Sequence, residues 1–243
     1  MPTVPSPPTA VGVVLAAGIG SRVGADGNKA YLLLAGRSML SWSVQAVADT
    51  AEIARVILVH RRGERDVAAG ALAADLPGRT VELVEGGDSR HESEFNMLAH
   101  IAADIESGAV DVVLIHDAAR PLAGPDMMRA ALGAAREHGG AVPAVPATGL
   151  ARPLPNGGFE PLTERVVRVQ TPQAFRAAPL LAAYREADAA GFDGTDTSAC
   201  VQHFTDVDVR VFPGAATNLK VTYPPDIRLA EHLLAGTLSA GTQ

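Results

Sequence analysis

Residues Val11-Gly12-Val13-Val14-Leu15-Ala16-Ala17-Gly18-Ile19-Gly20-Ser21-Arg22-Val23-Gly24 decide the fold. A short apolar run rich in β-branched residues, Val11–Ala17, passes directly into a glycine-rich turn, which reads as a first buried strand opening a βα unit. The same rhythm continues downstream. Strand-like runs lie at Arg55–His60, Thr80–Glu85, Val110–His116, Ala141–Val145 and Val207–Phe212. Helical stretches alternate with them at Met39–Asp49, Glu64–Asp75, His91–Glu106, Pro125–His138, Pro179–Ala190, Thr197–Phe204 and Pro225–Leu234. Such alternation predicts an α/β fold: a Rossmann-like, mainly parallel sheet with right-handed crossovers and helices on both faces.

The chain has 243 residues and a formal net charge of -7, which fits a single α/β domain and argues against a broad nucleic-acid footprint. Of its 20 basic residues, 18 are Arg and two are Lys, Lys29 and Lys220. Cys200 is the one cysteine, so no disulfide framework exists, as suits a reducing cytoplasm. Residues 1–21 carry no charged side chain, but Pro2, Pro5, Pro7 and Pro8 and the missing basic start argue against a signal peptide. Residues 1–9 are expected to be a disordered tail and 10–238 the folded domain. No apolar run approaches the roughly 20 residues needed to span a membrane.

One stretch breaks the alternation. Between Pro146 and Gln170, Asn156-Gly157-Gly158 separates Leu150–Leu154 from Leu162–Val169, a hairpin signal. Residues 147–170 are therefore expected to form a projecting β-arm, either a plain surface hairpin or a dimerisation arm.

The first turn resembles a dinucleotide fingerprint without being one. G-x-G-x-x-G is missed because the third glycine falls one place late, and the second strand ends in His60-Arg61-Arg62 where an acid is expected for a ribose hydroxyl. No P-loop pattern is present, and no Tyr-x-x-x-Lys accompanies the turn. What remains is a long loop that presents Arg22 and Lys29 to a triphosphate through backbone amides, or a generic glycine turn.

The third strand ends in Gly86-Gly87-Asp88-Ser89-Arg90-His91-Glu92-Ser93. Ligands bind outside the carboxyl ends of strands in open parallel sheets, and paired glycines leave room there for a flat base. Arg90 and Ser93 share a helix face, while Asp88 or Ser89 could simply cap the turn. The fourth strand ends in His116-Asp117-Ala118-Ala119-Arg120-Pro121. An acid at that position suits Mg²⁺, which takes one or two carboxylates together with substrate phosphates. His116 reads as a packed structural residue rather than a base. Arg120 either pairs with Asp117 or reaches an anionic substrate.

In order along the chain, the A-A-G-x-G-x-R-x-G loop with its Lys, the G-G-x-x-R-x-x-S turn, His-Asp-Ala-Ala-Arg-Pro, Thr171-Pro172-Gln173, Thr195-Asp196 and Asn218-Leu219-Lys220-Val221-Thr222 resemble the 2-C-methyl-D-erythritol 4-phosphate cytidylyltransferases of the non-mevalonate isoprenoid pathway. The resemblance implies a nucleotidyltransferase-type fold, CTP and a polyol phosphate as substrates, Mg²⁺, and a cytoplasmic homodimer paired through the arm. It implies that Arg22 and Lys29 stabilise charge at the α-phosphorus. Ala16, Ala17, Gly18, Gly20, Gly86, Gly87, Arg90, Ser93, Asp117 and Ala118 would bind the nucleotide, and Asp117 would also hold the metal. Arg165 and Lys220 would position the acceptor phosphate, with Arg120, Thr148, Thr171 and Thr195 beside it.

Three segments depart from the family pattern. Gly149 and Leu150 fall where Asp-Thr is usual, the run from Arg165 to Thr171 is about two residues short, and Thr195-Asp196-Thr197-Ser198-Ala199 loses one acid. The CTP half matches and the acceptor half matches less well. This leaves open a different acceptor such as ribitol 5-phosphate, or a catalytically weak nucleotide-binding paralogue.

Overall fold

The computed structural model describes residues 9–18, 28–194 and 196–240. Its elements in chain order are β1 (Thr9–Leu15), β2 (Leu33–Leu34), β3 (Arg37–Ser38), α1 (Met39–Ala48), β4 (Ile53–His60), α2 (Arg65–Asp75), β5 (Glu82–Glu85), α3 (Arg90–His100), α4 (Ala102–Glu106), β6 (Val110–Asp117) and α5 (Pro125–His138). There follow β7 (Gly139–Pro146), β8 (Ala151–Pro153), β9 (Phe159–Pro161), β10 (Val167–Val169), β11 (Gln173–Arg176), α6 (Ala177–Ala189), α7 (Thr197–Phe204), β12 (Asp208–Pro213) and α8 (Pro224–Ala240). Thr9, assigned above to the tail, already belongs to β1 and pairs with Val110.

The main sheet runs β10-β7-β11-β6-β1-β4-β5, with β12 on the other side of β7. β1 is parallel to both β4 and β6, β4 to β5, and β12 to β7. Residues along β1 alternate between faces. Ala10 and Val14 join a core with Val44 of α1, Leu72 of α2 and Leu132 of α5. Val11 and Val13 join another with Met97 of α3, Leu180 of α6 and Val201 of α7. Burial on both faces explains why these strands read as continuous apolar runs.

Two elements depart from the alternating pattern. The stretch read as one helix, His91–Glu106, is two, because Ile101 (φ -106, ψ 10) leaves helical geometry while staying fully buried. Gln173–Arg176 forms an antiparallel strand between β6 and β7.

The excursion after β7 is one interrupted antiparallel ladder. Phe175 pairs with Gly140, Val169 with Ala144 and Val167 with Pro146. Beyond these, the Leu162 amide donates to the Leu150 carbonyl, and Arg152 lies opposite Glu160. The turn falls at Asn156-Gly157, where Gly157 takes φ +83 and the Asn156 side chain accepts from the Gly158 amide. Leu150, Phe159, Val167 and Val169 on this ladder are exposed, Phe159 by 72%.

Candidate active site

The carboxyl ends of β1 and β6, the turn after β5 and the segment before α8 enclose a cavity of about 450 Å³. Ala16, Ala17, Gly18, Lys29, Gly87, Arg90, Ser93, Asp117, Ala118 and Lys220 line it, as do Asn28, Asp88 and Ala119. Motifs spread over two hundred positions therefore meet at one opening.

Asp117 is its electrostatic centre. Its Oδ1 lies 2.7 Å from Arg90 Nη1 and its Oδ2 lies 2.7 Å from Lys220 Nζ, with Arg120 Nε 4.0 Å from Oδ2. Burial alone would raise the carboxyl's pKa, but Arg90 and Lys220 outweigh it and hold Asp117 well below the usual carboxylate range. The group is an anion at any physiological pH.

The turn that delivers it is locked from below. The Asp117 amide donates to Thr171 Oγ1 (3.0 Å), and the same hydroxyl lies 3.0 Å from His116 Nδ1. The other ring nitrogen of His116 is 3.0 Å from the Arg120 carbonyl. Since the Arg120 carbonyl can only accept, the network assigns Nε2–H as donor and Nδ1 as acceptor from the Thr171 hydroxyl. Burial lowers the His116 pKa from 6.5 to about 4, so the ring is neutral. His116 is thus the structural residue expected. Thr171 is buried and its hydroxyl is used in this lock.

Lys220 is held through its neighbours. The Asn218 side chain donates to the Thr171 carbonyl (2.9 Å), and the Asn218 carbonyl accepts from Arg120 Nη1 (2.8 Å) and Gln170 Nε2 (3.1 Å). The Val221 amide donates to the Ala119 carbonyl (2.8 Å), and the Val221 carbonyl accepts from Lys29 Nζ (2.9 Å). Arg120, nine-tenths buried, is committed to this scaffold and is absent from the cavity lining.

Asn28 performs a parallel task at the other lysine. Its amide nitrogen donates to the Ala16 carbonyl (2.6 Å) and to Glu64 (2.8 Å), while its oxygen caps the short helical turn Lys29–Tyr31 through the Ala30 amide. Neither Asn28 nor Glu64 belongs to a motif read from the sequence, where Glu64 only begins a helical stretch.

The paired glycines serve close packing as well as access. A Cβ on Gly86 would stand 2.7 Å from Ala17 Cβ and 2.8 Å from Ser93 Oγ. One on Gly87 would stand 2.2 Å from the Glu92 side chain. Gly87 faces the cavity, whereas Gly86 lies behind it. Ser93 Oγ accepts from the Gly87 amide (3.1 Å) and donates to the Ser89 carbonyl (2.8 Å). Ser89 caps α3 as well, accepting from the Glu92 amide, so turn and cap coexist.

Not every expected residue arrives here. Thr148 and Arg165 are exposed on the excursion after β7 and do not line the cavity. Gly20, Arg22 and Thr195 lie outside the described residues. No cluster of three or more His, Cys, Asp or Glu able to hold a metal occurs among the described residues.

A mainly parallel sheet whose strand ends gather Arg90 and Lys220 around the Asp117 carboxylate, beneath glycine-rich turns, defines an α/β nucleotide-binding site shaped for phosphates. Comparison with known proteins narrows the class. The chain belongs to the 2-C-methyl-D-erythritol 4-phosphate cytidylyltransferase family, whose model matches residues 10–236. It is 38% identical to the protein of that name from Cereibacter sphaeroides, covering 96% of this chain and 99% of that one. It is 34% identical to the one from Solibacter usitatus, covering 92% and 95%. The crystal structure of the 4-diphosphocytidyl-2C-methyl-D-erythritol synthase from Anaerococcus prevotii superposes with a TM-score of 0.80 at 26% identity, covering 94% of this chain and 96% of that chain.

Proposed function

We propose that this protein joins CTP and 2-C-methyl-D-erythritol 4-phosphate, giving 4-diphosphocytidyl-2-C-methyl-D-erythritol and pyrophosphate. The observation that carries the reading is the Arg90–Asp117–Lys220 constellation at the cavity wall of a chain in this family. The nucleophile is the acceptor's phosphate monoester, whose second pKa near about 6 leaves it largely dianionic at neutral pH. It needs no general base. Among the described residues no histidine lines the cavity, and the nearby His116 has both nitrogens engaged. The task is to bring two anions together and stabilise charge at the α-phosphorus, which Lys29, Lys220 and the motif residue Arg22 are suited to do. The relatives' names do not favour a ribitol phosphate acceptor or a catalytically weak paralogue.

Asp117 fits as a single protein ligand for Mg²⁺. It is fully ionised, and each carboxylate oxygen keeps a lone-pair site beyond its present cation partner. Asp117 would hold the ion together with the nucleotide's own phosphates. The ion would supply neutralisation of phosphate charge.

Thr148 and Arg165 are exposed and do not line their own cavity, and in this reading they would serve a neighbouring subunit. We therefore read the 147–170 segment as an arm pairing two copies in a cytoplasmic homodimer. Light scattering on a Phe159→Asp variant tests this: loss of a wild-type dimer mass supports it, and an unchanged mass opposes it. No described helix is long and apolar enough to cross a membrane. The reaction itself is tested by ³¹P NMR of CTP, Mg²⁺ and the acceptor. Two coupled diphosphate signals plus free pyrophosphate are expected, and unchanged CTP signals would refute it.

A further inference from the structure

Glu94 belongs to no motif, yet it is 1% exposed and carries a carboxylate into the second core, behind the cavity wall. Burying an unpaired carboxylate costs several kcal/mol, so its partners reveal its purpose. Oε1 lies 2.9 Å from Arg90 Nε, one helical turn earlier on α3, an ion pair without hydrogen-bond alignment. Oε1 also accepts from Thr197 Oγ1 of α7 (2.8 Å), and Oε2 accepts from the Tyr184 hydroxyl of α6. Three helices thus converge on one carboxylate, which touches the inner edge of a guanidinium whose Nη1 holds Asp117 at 2.7 Å. Thr197 stands where the family motif carries an additional acid; burial raises the Glu94 carboxyl above its usual range, and Arg90, Tyr184 and Thr197 pull against that rise.

We infer that Glu94 is a positioning residue for the reaction: it clamps Arg90 between two carboxylates and so fixes the direction in which Arg90 and Asp117 face the nucleotide. This rests on the cytidylyltransferase reading. Arg90 touches two anions and Asp117 touches two cations, so the four groups form an alternating chain, Glu94–Arg90–Asp117–Lys220. Removing the innermost carboxyl takes away one of the two ion-pair partners of Arg90 and leaves its guanidinium free to tilt toward Asp117. A leucine-like packing role would need none of these polar contacts.

The test is steady-state kinetics of Glu94→Gln, which keeps shape and removes charge, alongside its melting temperature. The KM for CTP should rise about tenfold while the acceptor KM stays within about twofold. Thr197→Val, which removes one donor and leaves Glu94 in place, should shift the KM for CTP the same way by about threefold. It serves as the probe if Glu94→Gln does not fold. Unchanged kinetics would overturn the inference. So would losses in both substrates' KM that merely follow a lowered melting temperature. Absence of turnover in the wild-type enzyme would instead refute the cytidylyltransferase reading.

Discussion

Lys220 and Asp117 stand 103 positions apart in the chain and meet at 2.7 Å. The contact depends on three separate ties: Asn218 to Thr171, Arg120 to Asn218, and Val221 to Ala119. Asp117 does not neutralise Lys220 permanently, because the lysine side chain remains 40% exposed toward the cavity. An arriving phosphate can share it. Lys220→Ala should therefore raise the acceptor KM or lower kcat by about tenfold or more and leave CTP affinity within about twofold. Separate titrations of CTP and acceptor measure this, and a purely CTP-side defect would contradict it.

Lys29 lines the same cavity from the opposite segment, with Nζ 2.9 Å from the Val221 carbonyl. A compact ammonium can reach that carbonyl and a phosphate together, whereas a planar guanidinium cannot occupy the same point. Lys29→Arg should lower turnover by about tenfold or more despite retaining the charge. Unaltered kcat and KM would remove Lys29 from the reaction.

Asn28 ties β1, the Lys29 turn and Glu64 together through one side chain. Asn28→Ala orphans the Ala16 carbonyl and the cap of the Lys29–Tyr31 turn. It should cost about 1–2 kcal/mol of stability in denaturant melts. The KM for CTP should rise as well, since both tied segments line the cavity. A variant as stable and as active as wild type would show the tie to be incidental.

His116 gives a pH dependence with a definite sign. Its folded pKa, about 4, lies below its ordinary value of 6.5, so the unfolded chain binds more protons between these values. The contribution of His116 to stability is complete above pH 6.5, falls as pH drops from 6.5 to 4, and is lost below that. The ring's NMR signals in the metal-free protein should titrate with a midpoint near 4. A midpoint near 6.5 would contradict the buried network.

Much of this was legible because the sequence places its glycine turns and acids at strand ends, where an open parallel sheet concentrates ligand contacts. Lys29, Arg90 and Asp117 were read that way and line the cavity, whereas Lys220, which lines it too, entered only through the family resemblance. Glu94 was not, because inside a helical stretch a carboxylate reads as solvent-facing, and only the convergence of α6 and α7 buries it. Asn28 was invisible for a similar reason: its partners lie on other segments. Strand β11 escaped because four residues run straight into α6 without a turn signal. Arg120 and Thr171 carried motif signatures and still turned out to serve the scaffold, since a motif records which residues are needed and not which of them face the cavity.

The acceptor half of the site departs most from its family, at Gly149-Leu150, Arg165–Thr171 and Thr197. Pyrophosphate release from CTP, measured side by side with 2-C-methyl-D-erythritol 4-phosphate and ribitol 5-phosphate, puts that half to the test. Efficient release is expected with methylerythritol phosphate, at a kcat/KM at least about a hundredfold above that for ribitol phosphate. Equal or faster release with ribitol phosphate, or none with either, would contradict the assignment.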